Sequence, residues 1–129
     1  MKQILLVYPR IPDTYWSFSH TLSLTGFKGL MPPLGLLTVA ALIPADYHIT
    51  LVDMNVKSLT DREIGNADLV MISAMIIQKD SFHEVVERCN RLGVPVAAGG
   101  PYPTSCHQEI SGVDHFILNE GELTIPPFF

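Results

Sequence analysis

Five short apolar runs, separated by stretches long enough to cross back over a sheet, constrain this chain more than any other feature. They are QILLVY (3–8), YHITLVD (47–53), DLVMISAMI (68–76), VPVAA (94–98) and VDHFIL (113–118). They are nearly continuous rather than alternating, the pattern of strands covered on both faces, as in parallel sheets. Helical segments fall between them. PPLGLLTVAALIP (32–44) has Pro33 in its first turn and Pro44 as its stop. It is apolar nearly all round, so it is expected to be buried. SLTDREIGNA (58–67) is a short helix start with Ser58 or Thr60 as N-cap. In KDSFHEVVERCNRLG (79–93), Phe82, Val85, Val86, Cys89 and Leu92 recur at helical spacing and Gly93 supplies the C-cap. Glu120, Gly121 and Glu122 open a last helix, which Pro126 and Pro127 meet within a few residues.

Strands alternating with helices imply a parallel α/β sheet. Right-handed crossovers place helices on both faces. A flavodoxin-like, Rossmann-like sheet in the order 2-1-3-4-5 is the expectation, as one domain over residues 1–129. Its switch point lies between strands one and three, and ligands of such sheets bind beyond the carboxyl ends of the strands. The link from Pro9 to Met31 has no evident element of its own yet holds Tyr15, Trp16, Phe18, His20 and Phe27. Loops of that length in compact domains are commonly functional. Residues 10–31 are read as a cover for a ligand or a contact with another domain.

Several chemistries are excluded. A net charge of −5 and eight scattered Lys and Arg provide no basic stripe for nucleic acid. The longest apolar run, Leu34 to Ile43, is half a membrane span. Cys89 and Cys106 form neither a disulfide framework nor a metal spacing, and the N-terminus has no leader pattern, so a reduced, cytoplasmic setting is expected. A dinucleotide site needs a glycine-rich turn after strand one, where this chain has YPRIPDTYW. Without that turn, Asp53 reads as an acid ending a strand. The dispersed His20, His48, His83, His107 and His115 make no metal cluster, and the Cys106-His107 dipeptide is too short to specify a site. No nucleophile, base and orienting acid can be assembled, so no catalytic residue is assigned.

What remains is a crevice of small and apolar groups at the strand ends. Tyr8 and Pro9 follow strand one, Ser73, Ala74 and Met75 close strand three, and Gly99 and Gly100 with Pro101 close strand four. Glu120 and Gly121 follow strand five. Such positions suit a bulky ligand with a flat apolar surface. Ser73 offers a hydroxyl, and the backbone near Gly99 and Gly100 offers N–H groups.

Taken in order, MKQILLVYPR, PPLGLLTVAALIP, LVDMN, ISAMI, VAAGGPYPT and LNEGE form a series. The series resembles the cobalamin (vitamin B12)-binding domain at the N-terminus of B12-dependent radical SAM proteins, including methyltransferase-like members, over essentially the whole chain. The resemblance implies that the dimethylbenzimidazole tail of cobalamin enters the crevice, with Ser73 as its hydrogen-bond partner and Met75 at the matching position two residues on. It implies that the tail passes the backbone of Gly99 and Gly100. It implies that the segment after strand one, with Pro32, Pro33, Leu34 and Gly35 beyond it, lies near the corrin ring. The histidine motif Asp-x-His-x-x-Gly after strand one is absent. So either no protein imidazole reaches cobalt or the domain has lost the cofactor, and His20 lies at the wrong spacing to replace it. The CxxxCxxC motif of a radical SAM core is also absent. The chain is therefore expected to be an excised domain, not catalytic by itself. S-adenosylmethionine and a [4Fe–4S] cluster would belong to a missing downstream radical SAM domain, its partner in the same polypeptide. Two other readings stay open: a degenerate domain kept for docking or substrate interaction, and a flavin- or nucleotide-binding flavodoxin-like domain.

Overall fold

The computed structural model describes residues 2–12, 34–118 and 121–129. Five parallel strands form one sheet in the order β2-β1-β3-β4-β5, as the sequence predicts. The strands are β1 (Gln3–Tyr8), β2 (His48–Asp53), β3 (Leu69–Ser73), β4 (Val96–Gly99) and β5 (His115–Ile117). The helices are α1 (Leu34–Leu42), α2 (Asp61–Gly65), α3 (Lys79–Leu92), α4 (Pro101–Cys106) and α5 (Gly121–Phe128). Short 3-10 turns at Ile76–Gln78 and His107–Glu109 complete the described elements.

Side chains alternate across a strand, and here both faces are covered. Leu5 and Val7 of β1 join Val70, Ile72, Val96 and Ala98 in a core closed by Phe82, Val85, Val86 and Cys89 of α3 and by Ile64 of α2. Ile4 and Leu6 join Met71, Ala97 and Ile117 in a second core, closed by Leu36 of α1 and Ile125 of α5. The continuous apolar runs are thus the signature of a two-faced sheet. Thr60, not Ser58, caps α2 by accepting the Glu63 N–H. Gly93 ends α3 in the left-handed conformation at φ 72°, which costs glycine no Cβ contact.

Three expectations are corrected. Helix α1 is not buried throughout: Leu36 is, but Leu37 is 47% exposed, because only one side of the helix faces the sheet. Leu92, the last residue of α3, is 39% exposed and outside the core. Pro126 and Pro127 do not stop the last helix, which runs through both to Phe128. There Ile125 is buried in the second core, and packing of α5 against α1 offsets the donors that the prolines withhold. Among the described residues, no helix is long and apolar enough to cross a membrane.

The two cysteines are free and differ in setting. Cys89 has no exposed surface, and burial pushes its thiol pKa up to about 11, with the nearby Arg88 charge opposing. Cys106 is half-buried. Thiolate, not thiol, attacks disulfides. A small aromatic disulfide reagent at pH 8 is therefore expected to label Cys106 alone in native protein, and both cysteines in denaturant. Peptide mapping of the labelled protein checks this.

Candidate functional site

At the carboxyl end of the sheet, on the face covered by α1 and α5, lies a cleft of about 170 Å³. Its floor is the ends of β3, β4 and β5, with Met71, Ser73, Ala97, Gly99, Gly100 and Ile117; Gly35, Leu36, Thr38 and Val39 of α1 and Ile125 of α5 form its walls. Ser73 pairs with Gly99 across the β3–β4 ladder. It lies two residues beyond Met71 and so shares the cleft-facing side of the sheet. Its Oγ makes no hydrogen bond among the described residues. The result is a largely apolar slot bounded by small residues, with the Ser73 hydroxyl unbonded among the described residues.

The glycine doublet is required by the chain itself. A Cβ on Gly99 would stand 2.7 Å from the Ile117 carbonyl oxygen. Gly100 has φ 92° and ψ −178°, a conformation that only glycine adopts readily. A Cβ there would lie 2.8 Å from Ser73 Oγ and 2.9 Å from the Ala74 backbone nitrogen and oxygen. The Ala74 N–H donates to the Gly99 carbonyl, and the Ala74 carbonyl accepts from the Tyr102 N–H. The ends of β3 and β4 are thus interlocked with no space between them. The prolines that follow open a helix: Pro101 is the first residue of α4, and Pro103 lies in its first turn. First-turn N–H groups have no intrahelical partner, so proline is tolerated there. Tyr102 OH lies 2.9 Å from His83 Nε2, which ties α4 to α3 and leaves the His83 ring partly buried.

The switch-point side is arranged differently. Pro9 is fully buried, and its carbonyl accepts from both Gln78 Nε2 (2.6 Å) and Asn55 Nδ2 (3.2 Å). The Arg10 N–H donates to Ser81 Oγ and the Ile11 N–H to Asn55 Oδ1. Gln78 has no exposed surface, and its Oε1 accepts the Met75 N–H at 2.8 Å. Asp53 Oδ1 accepts from the backbone and the side chain of Asn55, so this acid orients an amide. Burial, and secondarily the Asp53 charge, raise the Tyr8 phenol pKa, while a hydrogen bond with Gln78 opposes them. The phenol is a neutral group at any physiological pH.

The expected crevice is thereby divided. Ser73, Gly99 and Gly100 line the cleft over β3 to β5, whereas Tyr8 and Pro9 belong to the clamped segment, and Gln78 closes the gap between β1 and the turn after β3. Ala74 is buried on the opposite face, Met75 caps the 3-10 turn, and Pro101 is exposed on α4. Leu34 and Gly121 begin α1 and α5, the two helices that wall the cleft. Pro33, Glu120, His20 and most of the aromatic link lie outside the described residues. Reasoning from sequence did not single out Gln78. Its spacing three residues after Met75, just before a helix, is the one signal, since a glutamine there can reach back to a cap N–H.

A family model described as "B12 binding domain" matches residues 21–128. The chain is 45% identical over 126 residues to an uncharacterized methyltransferase of Synechocystis sp. (strain ATCC 27184 / PCC 6803 / Kazusa), covering 96% of this chain and 24% of that protein. It is 33% identical over 123 residues to a hopanoid C-2 methylase of Rhodopseudomonas palustris (strain TIE-1), covering 95% of this chain and 23% of that protein. It therefore spans about a quarter of the length of these curated relatives.

Proposed function

The chain belongs to the B12-binding domain family, and from that premise we propose that it is the cobalamin-carrying module of a longer, methyl-transferring protein. The observation that carries this reading is the cleft at the ends of β3 to β5, a slot floored by small residues, with a serine hydroxyl at its rim that no described residue bonds. A flat heteroaromatic ring such as the dimethylbenzimidazole end of cobalamin fits it chemically. The ring would lie against apolar Met71, Ile117 and Ile125, and Ser73 Oγ would donate to or accept from its edge. The glycine backbone beside it presents no side chain to obstruct entry. When bound, the corrinoid supplies the group-transfer reactivity. The chain's own residues bind and orient it and keep water from its tail.

The reaction belongs to the rest of the polypeptide in this reading. Support comes from the names of the two relatives, a methyltransferase and a methylase, and from their fourfold greater length. A downstream radical SAM domain holding S-adenosylmethionine and a [4Fe–4S] cluster is the proposed partner, in keeping with the family series in the sequence. A second reading, a domain that docks without cofactor, is favoured by the exposed apolar flank of α1 at Leu37.

Titrating the purified protein with hydroxocobalamin separates the two. A saturable change in the visible spectrum, with one corrinoid bound per chain, is the expected result. An unchanged spectrum at high protein concentration, with no co-purifying corrinoid, overturns the cobalamin reading and leaves docking.

A further inference from the structure

The segment leaving β1 has no regular structure, yet side chains from other elements satisfy its backbone. Both lone pairs of the Pro9 carbonyl are occupied, by Gln78 and Asn55. The Arg10 and Ile11 N–H groups are taken by Ser81 and Asn55. Those partners come from the loop after β2, the turn after β3 and the start of α3, so three parts of the fold converge on three residues. A buried amide such as Gln78 is tolerated only with its hydrogen bonds made, and both of its polar atoms are used. Placing it here spends packing on fixing a loop at the β1–β3 switch point, where sheets of this order meet their ligands. The same turn presents Ile76 at 65% and Ile77 at 45% exposure. Rigid backbone is thus flanked by bare apolar surface, a combination suited to a broad, largely apolar macrocycle rather than to a phosphate.

We propose that Gln78 and Asn55 are positioning residues, which hold Pro9–Ile11 as a preformed ledge for the corrin ring, separate from the cleft that takes the nucleotide tail. This rests on the cobalamin reading above. The two residues act through backbone and need not touch the ligand. Their contribution is preorganisation: a ledge already ordered loses no further freedom when the ring arrives. The ring and tail seats meet at the end of β3, with Ser73 on one and the Met75–Gln78 turn on the other.

The test uses two probes, hydroxocobalamin and cobinamide, a corrinoid without the nucleotide tail. Each is titrated into wild type, Gln78→Met and Asn55→Ala, at a temperature where thermal melts show every variant folded. Both substitutions are expected to weaken cobinamide binding roughly tenfold, the scale of one lost buried hydrogen bond. Combined, they fall short of the product of the two effects, because both act through the Pro9 carbonyl. A lowered melting temperature with unchanged cobinamide affinity of the folded variants overturns the proposal and leaves the network purely structural. If Gln78→Met does not fold, Asn55→Ala decides alone, since unchanged affinity there is sufficient to overturn it. Wild type that binds neither probe defeats the cobalamin reading itself. Wild type that binds both, with variants that match it, defeats only the positioning role.

Discussion

Gly100→Ala is expected to lower the melting temperature by roughly 10 °C. Holding a non-glycine residue at φ 92° and ψ −178° costs about 1–3 kcal/mol in backbone strain alone. The new Cβ would also press on Ser73 Oγ at 2.8 Å and on the Ala74 backbone at 2.9 Å. Ala74 cannot yield cheaply, because its N–H and carbonyl are bonded to Gly99 and Tyr102. About 3 kcal/mol in total, in a domain of this size, corresponds to that shift. Gly93→Ala is the control. Gly93 has φ 72° too, but an added Cβ meets nothing within 4 Å, so only about 1 kcal/mol of conformational cost is expected. Circular dichroism melts of the two variants decide it. Equal losses would show that the β3–β4 junction has slack the geometry denies. Gly100 is, for the same reason, a poor place to probe a ligand: a bulky residue there destroys the wall before it can block anything.

That distinction was not legible in the sequence. The doublet Gly99-Gly100 reads equally as a turn or as a gap for a ligand. Only the approach of Ile117 and Ala74, residues distant in sequence, shows that the fold itself demands both glycines. The sheet order was legible because its strands are apolar on both faces and its crossovers can take one hand. Helix α3 was legible because Phe82, Val85, Val86 and Cys89 are buried at helical spacing. Helix α4 was missed because two prolines in four residues read as a stiff turn, although the first helical turn is where prolines are tolerated. The crevice was expected at the ends of strands one, three, four and five; Ser73, Gly99 and Gly100 line the cleft over β3 to β5, and Tyr8 and Pro9 after β1 stand apart from it. Gln78 accounts for the difference. A glutamine between two isoleucines and a lysine carries no mark of being buried, and its bonds reach back to Pro9, 69 positions earlier. Long-range polar pairing of that kind has no sequence period to betray it, unlike the apolar periods that define strands and helices.

Gly35→Phe is the cleanest means of closing the cleft, and it is expected to abolish tail-dependent binding while leaving the fold intact. Gly35 is the second residue of α1 and lines the slot, and among the described residues a Cβ built on it meets nothing within 4 Å. The Cβ itself meets no described neighbour, and replacing a helical glycine contributes up to about 0.5 kcal/mol of helix stability when the newcomer is less favourable than alanine. A benzyl group at that point is drawn into the apolar slot rather than left in water. In a cleft of about 170 Å³ it leaves no room for a second flat ring. The melting temperature should hold or rise slightly, and hydroxocobalamin affinity should fall at least tenfold, the loss of a seat worth more than about 1.4 kcal/mol. Cobinamide, which has no tail, should bind as it does to wild type. The pattern is the converse of that expected at Gln78 and Asn55, where the ring is affected with or without its tail. If Gly35→Phe binds hydroxocobalamin as wild type does, the slot is not the tail's seat. Ser73 would then be a serine at a strand end with no ligand to meet, and the small residues around it would serve only the approach of β3, β4 and β5 to α1.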